Sequence, residues 1–180
     1  MSNLFLRHGE VNNLKNIQYA DIPGYSLNEK GKSQAHGAAK KIQNQFEIKK
    51  IISSPLLRAR QTAEIVSNLL KVKVIYSKNL SEWCGSMNWI GKTIDEIVKT
   101  KEYKIYKNNP QNILNPVEPL VNVYERVLNE YVNNQNTLFV SHQDTIRSFT
   151  YFFTVDDDFT KFRPKHCEIQ SINNSKIVSY

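Results

Sequence analysis

Leu4-Phe5-Leu6-Arg7-His8-Gly9-Glu10 sets a short apolar run directly against a cation, an imidazole, a glycine and a carboxylate. So brief a run fits a buried strand that ends where polar chemistry begins. The same transition recurs twice. Ile51-Ile52 leads into Ser53-Ser54-Pro55-Leu56-Leu57-Arg58, and Thr137-Leu138-Phe139-Val140 leads into Ser141-His142. In open α/β sheets, ligands collect beyond the carboxyl ends of parallel strands. If these three strands run parallel, two histidines and two arginines far apart in sequence meet in one pocket.

The segments between them read as helices. Ser26 and Glu29 have capping-box spacing, predicting a helix from about Leu27 with Ala35, Ala38, Ala39 and Ile42 on its apolar face and Gly31 and Gly37 inside it. Pro55 suits the first position of a second helix, packed through Ala59, Ala63 and Val66. Residues 72–76 alternate like a strand, and Thr93 to Glu96 opens a short helix. Val121, Tyr124, Val127 and Leu128 mark another helix, and one more begins near Thr145. The chain closes on a hairpin around Asn173-Asn174. Residues 99–119, with Pro110, Pro116 and Pro119, read as irregular, a lid or surface excursion. Strands alternating with helices predict an α/β domain occupying all of 1–180.

A length of 180 residues suits one core, and 40% hydrophobic with 23% charged residues is globular. The formal charge of +7 suits anionic partners, phosphate esters and nucleic acid alike. No aromatic-and-basic recognition motif occurs, so nucleic acid is not an expected partner. Cys84 and Cys167 are too few and too far apart for a disulfide framework or a thiolate metal site. No apolar run is long enough for a membrane span. The very short run before Arg7 does not fit a cleavable signal peptide, and the expected location is cytoplasmic.

The residue types suit phosphoryl transfer. A neutral imidazole is a competent nucleophile near pH 7, since its reference pKa is about 6.5. Guanidinium groups present permanently charged forks to non-bridging oxygens and stabilise the transferring group with no metal required. A protonated carboxylic acid or a second histidine must then protonate the leaving oxygen, and Glu82, beside Trp83, is the best placed carboxyl. His36 and His166 read as surface or boundary residues.

Four ordered motifs resemble those of the histidine phosphatase superfamily, which includes phosphoglycerate mutases and small phosphatases. They are Leu6-Arg7-His8-Gly9-Glu10, Ser54-Pro55-Leu56-Leu57-Arg58-Ala59-Arg60-Gln61-Thr62-Ala63, Leu80-Ser81-Glu82 with Gly85-Ser86-Met87-Asn88-Trp89-Ile90-Gly91, and Val140-Ser141-His142 with Ile146-Arg147. The resemblance implies a three-layer α/β/α sandwich with a mixed central sheet, like phosphoglycerate mutase. It implies hydrolysis of a small phosphorylated substrate through a phosphohistidine, with no metal and no cofactor. His8 would be the nucleophile, Glu82 the acid and later the base, and Arg7, Arg58, His142 and Asn13 the phosphate ligands. Mutase-type transfer and a catalytically weak phosphoester-binding protein are the alternatives. Departures from the family pattern are Gln143-Asp144 after the second histidine, Ile90 between Trp89 and Gly91, and Glu118 flanked by Val117 and Pro119.

Overall fold

The computed structural model describes residues 3–113, 116–154, 159 and 163–180. In chain order the elements are β1 (Leu4–Arg7), α1 (Glu29–Gln45), β2 (Lys50–Ser53), α2 (Leu57–Leu70), β3 (Lys73–Tyr76), α3 (Ile94–Ile97), α4 (Lys101–Asn108), α5 (Leu120–Val132), β4 (Thr137–Ser141), α6 (Gln143–Phe153), β5 (Ile169–Asn173) and β6 (Lys176–Ser179). The strands form one sheet in the order β3-β2-β4-β1-β5-β6. β1, β2, β3 and β4 are mutually parallel, whereas β5 runs antiparallel to β1 and β6 antiparallel to β5. The sheet is therefore mixed, as expected.

Alternation along the strands assigns the layers, because successive side chains leave a strand on opposite faces. Leu4, Leu6, Ile51, Leu138 and Val140 pack against Ala38, Ala39 and Ile42 of α1 and Ala59, Ala63 and Val66 of α2. Phe5, Ile52 and Phe139 face the other way, onto Val127 of α5 and Ile146 and Phe149 of α6. Both faces of the sheet are covered, which completes the α/β/α sandwich. A third apolar cluster joins Trp83 and Trp89 to Ile97, Tyr106 and Leu120 beyond the sheet edge.

Three local expectations need correction. The first helix starts at Glu29 with Asn28 as its cap, whose Oδ1 accepts from Gly31 N at 2.7 Å. Ser26 and Leu27 are held instead by the first loop, through Asn12 N to Ser26 O at 2.9 Å and a bridge from Val11 to Leu27. Pro55 lies two residues before α2, because Ser54 N still bonds to Val140 O of the ladder at 2.9 Å. Residues read as irregular include α4, capped by the Thr100 side chain on Tyr103 N. The hairpin turn falls on Asn174 and Ser175, both at positive φ, the conformation that a two-residue type I′ turn requires. Among the described residues no helix is long and apolar enough to cross a membrane.

Candidate active site

Parallel pairing brings the three strand ends to one edge. Arg7 is in register with Ser141 and Ser53 with Val140, while His8 N donates to Ser141 O at 3.0 Å. His8, Arg58 and His142 consequently converge, all of them buried. The chain can turn so tightly after His8 because two glycines meet there. A Cβ on Gly9 would lie 2.5 Å from Gly31 O, and one on Gly31 would lie 2.1 Å from Glu10 O. Glu10 anchors this loop by accepting from Asn28 Nδ2 at 2.9 Å and pairing with Lys30 at 2.7 Å.

The hydrogen bonds of His8 fix its tautomer. Its Nδ1 lies 2.7 Å from Gly9 O, a carbonyl that can only accept, so Nδ1 carries the proton. Nε2 is left with a lone pair, and Arg58 Nε donates to it at 3.2 Å. Burial, then the neighbouring Arg58 and Arg7 charges, hold the His8 pKa well below the ordinary imidazole value. His8 is therefore a neutral base with its reactive nitrogen already facing a guanidinium.

His142 caps α6 and obeys the same logic. Its Nε2 lies 2.8 Å from Ser54 Oγ, which itself accepts from Leu56 N at 3.3 Å. With the Ser54 hydroxyl donating to Nε2, the ring carries its proton on Nδ1, a buried nitrogen without a partner. Burial and Arg58 also keep this ring neutral. The two imidazole centroids are 5.2 Å apart.

Arg58 is held from behind by Ala20 O at 2.5 Å and lies under the Tyr19 ring, 4.7 Å from its centroid. Arg7 donates through Nη1 to Gln143 Oε1 at 2.8 Å and Pro164 O at 2.9 Å, while its buried Nε is unpartnered. Gln143, which follows the second histidine, thus orients an arginine. Asp144 does face the pocket, and its carboxylate pairs with Arg147 at 2.5 Å.

Glu82 closes the site from the loop after β3. Its Oε1 accepts from Trp83 N at 2.9 Å and from Thr145 N and Oγ1 at 3.2 Å each. Burial, reinforced by Asp144 and opposed by Arg58, pushes its carboxyl up to about 7. Arg126 braces this loop by donating to Asn79 O and Ser81 O while pairing with Glu118 at 2.9 Å. Glu118 acts there, and is absent from the pocket lining.

A cavity of about 530 Å³ opens over Arg7, His8 and Glu82, walled by Asn13, Tyr19 and Ile94 among others. Asn13 faces it, with both ends of its amide tied to Ile17, Nδ2 to O at 2.9 Å and Oδ1 to N at 3.2 Å. The 11–25 loop is laced to the acid loop by Gln18 N to Lys92 O and Gly91 N to Gln18 O, both at 2.8 Å. Sequence reading singled out His8, Arg7, Arg58, Glu82, His142 and Asn13. It missed the supporting Tyr19, Thr145 and Arg126, and read His166 as peripheral although it lines the cavity, 5.6 Å from the His8 ring. Ser54 and Thr62 stood inside a quoted motif and were discoverable there. Thr62 Oγ1 accepts from Gly9 N at 3.1 Å. Among the described residues no group of three or more His, Cys, Asp or Glu side chains is arranged to hold a metal ion.

The profile of the histidine phosphatase superfamily (branch 1) matches residues 4–176. A 2,3-bisphosphoglycerate-dependent phosphoglycerate mutase of Thermoplasma acidophilum is 27% identical over 163 residues, covering 87% of this chain and 78% of that protein. Among solved structures, the phosphoserine phosphatase of Entamoeba histolytica in complex with 3-phosphoglyceric acid superposes with a TM-score of 0.81 at 22% identity, covering 99% of this chain and 94% of that one. A mycobacterial glucosyl-3-phosphoglycerate phosphatase gives 0.79 at 19% identity, covering 94% and 88%.

Proposed function

The chain belongs to the histidine phosphatase superfamily, branch 1, and from that membership and the site geometry we propose that it hydrolyses a small phosphomonoester in two steps on His8. The observation that carries this reading is the tautomer of His8, whose unprotonated Nε2 faces the Arg58 guanidinium in a site flanked by Arg7 and His142. In the first step Nε2 attacks phosphorus and the P–O ester bond breaks. The departing alkoxide takes the proton of the Glu82 carboxylic acid, which a pKa of about 7 keeps available near neutrality. Arg7, Arg58 and His142 Nδ1–H meet the charge on the non-bridging oxygens. In the second step the Glu82 carboxylate removes a proton from water, the water oxygen attacks phosphorus, and the P–N bond breaks. Asn13 is proposed to contribute to the phosphate side of the pocket.

The mutase reading has one observation in its favour, the similarity to the Thermoplasma mutase over 163 residues. We read 1–180 as one domain, with 99–119 as a lid or surface excursion, a reading supported by the packing of Tyr106 and Ile113 on the acid-loop tryptophans. A cytoplasmic location is supported by two free cysteines, Cys84 and Cys167.

Phosphate release from a panel of phosphomonoesters, with a metal chelator present, tests the reading on wild type and His8→Ala side by side. Release by the wild type alone is expected. Isomerised phosphoester appearing only after a bisphosphate primer would instead establish the mutase reading. Tight ester binding without release would establish a binding protein.

A further inference from the structure

Among the described residues, four buried side-chain nitrogens have no hydrogen-bond partner: Arg7 Nε, His142 Nδ1, His166 Nε2 and Trp89 Nε1. Trp89 lies in the aromatic cluster beyond the sheet. The other three belong to side chains around His8, with the His142 and His166 rings 5.2 and 5.6 Å from it. A buried polar atom left unpaired costs about 1–3 kcal/mol, so three of them on side chains grouped around His8 call for an acceptor in this site. Arg7 and His142 already have roles toward the phosphoryl group. His166 has none.

The fold fixes His166 in place through the same residue that precedes the nucleophile. Cys167 N donates to Arg7 O at 3.0 Å, and Pro164 O accepts from Arg7 Nη1 at 2.9 Å, so the flanks of His166 are clamped to the end of β1. Glu168 N donates to Lys165 O at 3.0 Å and Glu168 Oε2 accepts from Lys165 N at 2.7 Å, closing the turn on itself. Cys167 is held at φ 55°, a left-handed conformation that a residue with a Cβ adopts at a cost of about 1–2 kcal/mol. A turn so tightly determined presents one side chain to the cavity, and that side chain is His166.

Both residues line the cavity, but they are held by different partners: the chain on either side of His166 is bonded to Arg7, whereas the Glu82 carboxyl accepts from Trp83 N and Thr145 N. His166 therefore stands on the Arg7 side of the site. Burial and Arg7 lower the His166 imidazole to about 4, so near pH 7 it acts as a neutral hydrogen-bonding group.

We propose that His166 is a further phosphoryl ligand, donating from Nε2 to a non-bridging oxygen on the Arg7 side, and that it holds the same oxygen in the ester, the phosphohistidine and bound phosphate. The inference rests on reading this pocket as a phosphoryl site. Because it concerns the transferring group and not the leaving group, its loss is felt equally by every ester.

The test is calorimetric titration of wild type, His166→Ala and His166→Gln with inorganic phosphate, followed by kcat/KM on esters with different leaving groups. The expected result is a phosphate affinity about tenfold weaker in His166→Ala and partly restored in His166→Gln, whose amide nitrogen reaches to the position of Nε2. The esters should lose kcat/KM by one common factor. Unchanged phosphate affinity in His166→Ala overturns the proposal, and so does a loss that depends on the leaving group. If the wild type binds phosphate and turns over while His166→Ala matches it, only this inference falls. If the wild type neither binds phosphate nor hydrolyses any ester, the reading of the pocket falls with it.

Discussion

Replacing Glu82 with glutamine should stabilise the protein at alkaline pH while removing most of its activity. The fold raises the Glu82 carboxyl from 4.5 to about 7, chiefly by burial. A raised carboxyl binds its proton more tightly in the native than in the unfolded chain, so native stability falls as pH climbs from about 4.5 to about 7. Each tenfold change in the ionisation constant corresponds to about 1.4 kcal/mol. The burden of the buried carboxylate therefore approaches about 3 kcal/mol at pH 8 and stays under about 1 kcal/mol at pH 5. Partial solvent access to Glu82 makes these upper limits. Glutamine keeps an Oε1 to accept from Trp83 N and Thr145, so the loop is preserved and the charge removed. Urea denaturation of wild type and Glu82→Gln at pH 5 and pH 8 reads the difference directly. The variant should gain stability over the wild type at pH 8 and nearly match it at pH 5. An equal difference at both pH values would refute burial as the source of the shift. Activity should fall about 10²–10⁴-fold on esters with poor leaving groups, and less where the leaving group needs no proton.

Asp144→Asn removes one of the causes that raise Glu82, so the alkaline limb of kcat/KM should move to lower pH, checked by a pH–rate profile. Tyr19→Leu should lower kcat/KM about tenfold by releasing the Arg58 guanidinium, a contact of about 0.5–2 kcal/mol, while Tyr19→Phe keeps the ring and most of the activity. Gly31→Ala drives a methyl into Glu10 O at a starting separation of 2.1 Å, and thermal denaturation should show a loss of about 1–3 kcal/mol together with weakened catalysis.

How much of this was legible in the sequence depends on the reach of each signal. Leu4 to Arg7, Ile51-Ile52 and Thr137 to Val140 are short, apolar and followed by polar residues, and each became a strand of the parallel core. Their convergence then followed from topology, which brought together His8, Arg58 and His142. The misjudged boundaries share a cause, which is long-range pairing. Ser26 was drawn off into a loop bridge and Ser54 into the ladder, so neither opens a helix. Arg126 and His166 carry no local pattern. Arg126 serves the acid loop from the middle of α5, 45 residues away at Ser81, and His166 reaches the site through a turn tied to Arg7. Asn174-Ser175, in contrast, turned within one residue of the predicted place because turn chemistry is local.

The most direct test of the central claim is acid-labile phosphorylation of the protein itself. Wild type and Glu82→Gln would be mixed with an aryl phosphate, quenched at alkaline pH within the first turnover, and mapped by mass spectrometry. One phosphoryl group on His8 is predicted, persisting longer in Glu82→Gln because water lacks its base, and absent from His8→Ala. Phosphate release with no label on His8, or a label that survives in His8→Ala, would contradict a phosphohistidine mechanism.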